Sequence, residues 1–245
     1  EKNAIVTCTD EPLSLGVQDY LFLTIKSPAL LPSLQAIKPL IGKDTTIITC
    51  MNGIPHWYFH KLDNKYANYK IKCLDPNLLI DAILPPDNIV GSVVYPACEI
   101  VKPGTIRHIA GNRFSLGEPE GSESDRLKFI SEILKKAGFR APIQKNIRDE
   151  IWLKLIGNLS FNPISALTGA TLEQICNDQG TEAIVRAMMT EAKIIAEELG
   201  AKINMSIEKR IDGARKVGAH KTSMLQDIEA GKPIEIDSII IAVKE

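Results

Sequence analysis

No apolar run in this 245-residue chain reaches the roughly 18 residues that a membrane-spanning helix requires. Tyr20 to Ile25 and Ile236 to Val243 come nearest, and they stop early or contain charge, so no membrane association is expected. An excess of one charge is also missing, with 29 Lys+Arg against 30 Asp+Glu and a formal net charge of −1. With no basic stripe in either half, a phosphate backbone finds no electrostatic footprint, and nucleic acid is not an expected partner. The five cysteines, Cys8, Cys50, Cys73, Cys98 and Cys176, are odd in number, far apart and never spaced as CxxC. They read as reduced core thiols, not as a disulfide framework or a zinc knuckle. His56, His60, His108 and His220 form no ligand-spaced set, so no metal is expected. A positively charged n-region followed by an apolar h-region is missing as well, which makes the cytoplasm the expected compartment. The glycines nowhere take the GxGxxG or GxxxxGK[ST] spacing, so neither nucleotide-binding fingerprint lies within this stretch.

What is present is an ordinary globular composition, 44% hydrophobic and 24% charged, enough to bury a real core. Short β-rich runs dominate the first half: Ala4 to Thr7, Tyr20 to Ile25, Thr45 to Cys50, Ile89 to Tyr95, Thr105 to Ile109 and Arg113 to Leu116. Between the second and third, Leu30, Leu34, Ile37 and Leu40 recur at helical spacing, ended by Gly42. Strand, helix, strand is the parallel βαβ unit. A further helix is expected over Arg126 to Gly138. Beyond about Asn146 the strand patterning disappears and the chain reads as helices over Ile147 to Leu167, Glu182 to Leu199, Ser206 to Val217, Ser223 to Ala230 and Glu235 onward. The expected organisation is an α/β domain over 1–145 followed by an all-helical domain over 146–245.

Two features of the first half sit where open parallel sheets bind ligands, just past the carboxyl ends of strands. Lys26 follows Tyr20 to Ile25, and Asn52-Gly53 follows Thr45 to Met51. A solvated strand end and a tight turn are the plain alternatives. The sharper feature is Ile151-Trp-Leu-Lys154-Leu-Ile-Gly-Asn158-Leu-Ser-Phe-Asn162-Pro163. At about 100° per residue, steps of four place Lys154, Asn158 and Asn162 on one stripe about 80° wide. With apolar residues on the other sides, that stripe must be satisfied inside the molecule unless it is a solvent-facing edge. A partly desolvated amine has a lowered pKa and can give a proton near neutral pH, while amides suit the oxygens of a small polar substrate. Downstream, Ser223 with Gln226 reads as a capping box whose helix start can receive an anion. Glu235, among apolar residues, reads as a helix-start carboxylate or as a partner for an ammonium or a ribose hydroxyl.

Taken in order, Lys26, Asn52-Gly53, Lys154-x-x-x-Asn158-x-x-x-Asn162-Pro163, Thr222-Ser223-Met-Leu-Gln-Asp227 and Glu235-Ile-Asp237 make the sequence similar to the ketopantoate reductase family along essentially its whole length. The resemblance implies a Rossmann-type NADP-binding domain, of which residues 1–145 are a part, and a helical substrate domain. It implies NADPH as cofactor and 2-dehydropantoate as the small-molecule substrate, and it leaves a homodimer open. It further implies Lys154 as general acid, Asn158, Asn162 and Ser223 as substrate-binding residues, Glu235 as a carboxylate serving both catalysis and cofactor, and Lys26 and Asn52 on the nucleotide side. Three departures accompany it: the family's first strand and Gly-rich turn fall ahead of Glu1, its last helix continues past Glu245, and Leu172 stands where some members carry Asn. Another NADP-linked 2-keto or 3-hydroxy acid reductase on the same scaffold, or a non-catalytic relative, remains open.

Overall fold

The computed structural model describes residues 3–245. The alternating apolar runs form β1 (Tyr20–Leu23), β2 (Thr46–Thr49) and β3 (Ile89–Val94), which pair in parallel in that order, and β6 (Phe114–Gly117) closes the sheet antiparallel to β3. Strand periodicity sends successive residues to opposite faces, and both faces are covered. Ile47 faces helix α1 (Leu30–Ile37), which buries Leu30 and Leu34, whereas Ile48 and Val90 face Leu127, Ile130 and Leu134 of α3 (Asp125–Lys136). The βαβ reading over Tyr20 to Thr49 therefore holds, and the sheet is the middle layer of a three-layer α/β arrangement.

Other expectations need correction. Ala4 to Thr7 forms no strand, because nothing pairs with it among the described residues. β4 (Ala97–Lys102), not expected from the sequence, pairs with β5 (Thr105–Ala110) in a separate hairpin that leaves Ile100 and Ile106 exposed. Two short helices, α2 (Leu79–Ile83) and α5 (Leu172–Asn177), were also not expected. All five cysteines are free, as expected, but only Cys176 is buried; Cys8 and Cys98 are exposed, so they are not core thiols.

From Asn146 on, the structure is helical. Asn146 caps α4 (Ile147–Thr168) by accepting from the Arg148 N–H, and α4 packs against α6 (Gln179–Glu198), α8 (Ser223–Glu229) and β3. α7 (Ile207–Val217) lies against α5, and the chain ends in the π-helical turn Asp237–Ile241 and a last helical turn, Ala242–Lys244. α4 buries Ile147, Ile151, Trp152, Leu155, Ile156 and Leu159 in one continuous core with Ile47, Trp57 and Tyr58 of the sheet half. Pro163 lies inside α4 without ending it. Among the described residues, no helix is long and apolar enough to cross a membrane.

A close approach inside this core sets up a first prediction. Gly91 in β3 is packed so tightly that an added Cβ would lie 2.6 Å from the Trp57 ring, whose Nε1–H donates to Thr49 Oγ1 at 3.0 Å. Gly91→Ala is expected to destabilise the fold by about 1–3 kcal/mol, the range for an overpacked core. Thermal melting followed by Trp fluorescence checks it, and an unchanged transition would show that the ring yields freely.

Candidate active site

The amine of Lys154 leaves α4 toward the carboxyl ends of the parallel strands. Its Nζ donates to Asn52 Oδ1, just past β2, at 2.7 Å and to the Val94 carbonyl at the end of β3. Asn52 turns its other end to the helical half, where Nδ2 donates to Glu235 Oε2 at 3.0 Å. The second oxygen of Glu235 accepts from the Ser27 backbone N–H at 3.4 Å. One amide thus stands between a half-buried cation and a carboxylate only 4% exposed, and its orientation is fixed because each end meets the partner of opposite polarity.

Gly53 is what permits this approach. Its φ is +87°, and a Cβ there would collide with the Ser238 backbone, while the Ile54 N–H donates to the Ser238 carbonyl at 2.8 Å. The Asn-Gly pair is a turn and a site element together. The same junction is tied by Ser27 Oγ and Ser238 Oγ at 2.9 Å.

Burial pulls the Lys154 ammonium down from 10.5 to about 8, against an upward pull from Glu235, with Arg210 pushing it down and Cys50 pulling it up slightly. An amine with that pKa is still largely protonated at pH 7 yet gives up its proton readily. An ammonium has three donors, and two of those on Lys154 are used by Asn52 and Val94, which leaves one N–H for a reacting oxygen. Neighbouring Cys50 is pushed by burial up to about 11 and stays a thiol.

Two cavities flank the stripe. A small one of about 60 Å³ is lined by Ser27, Asn52, Lys154, Asn158 and Ser238. A larger one of about 470 Å³ is lined by Asn158, Asn162, Arg210, Thr222 and Ser223, with Leu172 at its wall. Asn158 borders both, so the three stripe residues run from the sheet ends into the helical half, as their spacing required. No described residue hydrogen-bonds the side-chain amide of Asn158 or Asn162, although Asn162 is only 5% exposed. Both amides open onto the cavity and are free to take hydrogen bonds from solvent or a ligand there.

One expected role is revised. Ser223 is not the helix cap. Thr222 is, its hydroxyl accepting from the Leu225 N–H at 3.3 Å, while Gln226 Nε2 turns to the Lys221 carbonyl at 2.8 Å, so no reciprocal capping box forms. Two adjacent hydroxyls both satisfy the sequence pattern, and the extended backbone at Thr222 (φ −65°, ψ 158°) decides between them. Ser223, one residue later, is exposed at the cavity. Lys26 lines neither cavity; its amine forms an ion pair with Asp227 of α8, which joins the two halves. Sequence reasoning missed Arg210, Ser27 and Ser238. Arg210 carried a signal, since it shares the inner stripe of α7 with Ile207, Ile211 and Ala214.

A largely parallel sheet joined to a helical domain, with an amine–amide–carboxylate chain at the strand ends where the two meet, defines the class of two-domain nucleotide-linked oxidoreductases. The chain belongs to the ketopantoate reductase family: residues 1–121 match the model described as ketopantoate reductase PanE/ApbA, and residues 146–244 match that of its C-terminal region. It is 49% identical over 245 residues to the 2-dehydropantoate 2-reductase of Mesorhizobium japonicum, covering 100% of this chain and 75% of that protein. Among solved structures, a candidate ketopantoate reductase from Ralstonia solanacearum MolK2 is 39% identical with a TM-score of 0.91, over 96% of this chain and 72% of that one. D-mandelate dehydrogenase, solved with NADH and anilino(oxo)acetate, shares the fold at 21% identity and a TM-score of 0.75, over 93% of this chain and 69% of its own.

Proposed function

We propose that this chain catalyses the NADPH-dependent reduction of 2-dehydropantoate to pantoate in the cytoplasm, with residues 1–145 on the nucleotide side and 146–245 on the substrate side. The observation that carries it is the Lys154 amine, desolvated to a pKa of about 8 and fixed by Asn52, beside two amides that no described residue hydrogen-bonds. Nearly half identity to a protein of that name supports the substrate. The described residues suit the nicotinamide end of the cofactor, because Ser27, Asn52 and Lys154 line a cavity at the carboxyl ends of the parallel strands, where open α/β sheets bind their ligands. NADPH, when bound, supplies the hydride.

The protein's own part is positioning and proton delivery. Lys154 gives its proton to the oxygen of the ketone as charge develops there. Glu235 keeps that proton on the amine until needed, acting across Asn52. Asn158 and Asn162 orient the ketone and the hydroxyl, and Ser223 contributes its hydroxyl from the rim. Lys26 reaches a ligand only by leaving Asp227.

The direct test is NADPH consumption with 2-dehydropantoate, pyruvate and 2-ketoisovalerate compared by kcat/KM. Preference for either of the last two would make the chain another 2-keto acid reductase. A second expectation concerns the amides: Asn158→Ala or Asn162→Ala is expected to raise KM for 2-dehydropantoate about tenfold or more, one lost hydrogen bond to a charged or strongly polar ligand, with Kd for NADPH nearly unchanged. Loss of NADPH affinity instead would place them on the cofactor.

A further inference from the structure

Among the described residues, Arg210 is a cation without a counter-charge. Its guanidinium lies against α4 at Gly157, where an added Cβ would run into its nitrogens and Cζ, so glycine is required for it to dock. One N–H reaches the Lys154 carbonyl at 3.5 Å, the outer limit of a hydrogen bond. Among the described residues no carboxylate comes within 4.0 Å of it, whereas Arg215 pairs with Asp212 and Glu182, and Arg186 with Glu182 and Glu208. Arg148, the other arginine withdrawn from solvent without an acid, has three backbone carbonyls instead. Burial lowers the Arg210 pKa from its ordinary value, yet a guanidinium remains charged at any working pH. Five N–H donors partly withdrawn from water with one marginal acceptor form an unfavourable arrangement unless an anion completes it.

The surroundings identify the anion. Arg210 lines the larger cavity together with Asn158, Asn162 and Ser223, and it docks one helical turn from Lys154. We propose that Arg210 anchors the substrate by a forked pair with the carboxylate of a 2-oxo acid, an inference that rests on the reductase reading above. In such an acid the carboxylate is bonded to the ketone carbon, so fixing one fixes the other. A guanidinium matches a carboxylate with two parallel N–H donors, and the ketone then falls on the Lys154 side. The role does not need the start of α8, which is only seven residues long.

Recognition by charge predicts discrimination between an acid and its amide. The wild-type enzyme is expected to prefer 2-dehydropantoate over 2-dehydropantoamide, and Arg210→Gln is expected to raise KM for the acid about 30-fold or more, the weight of a charge-assisted pair, while changing the amide little. Arg210→Lys keeps the charge without the fork and is expected to fall between, which preserves the test if the Gln variant folds poorly. A second readout is the pH profile of kcat/KM. The charged or titratable groups around Lys154 are Glu235, Arg210, Cys50 and Tyr95, and losing the positive one moves the descending, high-pH limb to higher pH. An unchanged KM for the acid, or equal losses for acid and amide, overturns the anchor. If the enzyme prefers a different 2-oxo acid, the substrate assignment fails while the acid and amide comparison is made on that compound. If it reduces 2-dehydropantoate and its amide equally well, the anchor fails and the reductase reading stands.

Discussion

Lys154→Ala is expected to lower kcat about 100-fold or more, the usual size of a lost general acid, with KM for 2-dehydropantoate changed far less. The expectation follows from how little else at the site can deliver a proton. Cys50 is held as a thiol with its pKa near 11, and burial and Glu150 push Tyr95 up to about 12. Glu235 faces Asn52, not the cavity. The sign of the pH dependence follows from the same group. Reduction needs the ammonium, so kcat should be flat at low pH and fall as pH rises through about 8. Oxidation of pantoate needs the free amine and should rise over the same interval. Glu235→Gln removes the upward pull on Lys154, so the descending limb should move to lower pH. Steady-state rates in both directions across pH check all three outcomes. A kcat near wild type in the Ala variant at every pH would remove Lys154 from the proton-transfer step.

The sequence revealed features governed by a repeating pattern and hid those governed by single contacts. β1, α1 and β2 could be read because burial on both sheet faces enforces both the alternation and the helical spacing. The Lys154, Asn158, Asn162 stripe could be read because a polar residue every fourth position in an apolar helix is conspicuous. β4 and β5 form a hairpin with no buried face at β4, so periodicity had nothing to register there. α5 is short, although its capping box, Thr171 with Gln174, was a usable signal. The cap of α8 was misplaced by one residue because Thr222 and Ser223 are chemically equivalent until backbone torsions separate them. The place of Arg210 on the inner stripe of α7 was a usable signal that it turns inward, but what it docks against was not legible, since that is Gly157, more than fifty positions away, which leaves space for it.

The same distinction governs the largest expected loss of stability, that of Arg148→Met. Arg148 is the second residue of α4 and would be taken for a solvated helix-start cation, yet it is only 5% exposed. Its Nε donates to the Tyr58 carbonyl at 2.7 Å, one terminal nitrogen to the His60 carbonyl at 2.8 Å, and the other to the Pro119 carbonyl. The guanidinium also lies 5.5 Å from the centre of the Tyr58 ring, and the Tyr58 hydroxyl accepts from Trp152 Nε1 at 2.7 Å. One side chain thereby holds the loop after Gly53, the turn after β6 and the start of α4 together. Methionine fills a similar volume and satisfies none of the three carbonyls. Each hydrogen bond to a charged group is worth about 1.5–3 kcal/mol, and because all three belong to one guanidinium the loss should be less than their sum, about 3–5 kcal/mol. For a chain of this size that corresponds to a fall in Tm of roughly 10 °C. Arg148→Lys, with a compact ammonium in place of the fork, should recover only part of it. Arg148 lines neither cavity, so kcat per folded molecule should remain close to wild type below the melting transition. Calorimetric melting together with single-temperature kinetics separates these two effects. An unchanged Tm would mean that water replaces the guanidinium at all three carbonyls, and a large fall in kcat at unchanged Tm would mean that Arg148 acts on the site instead of on the fold.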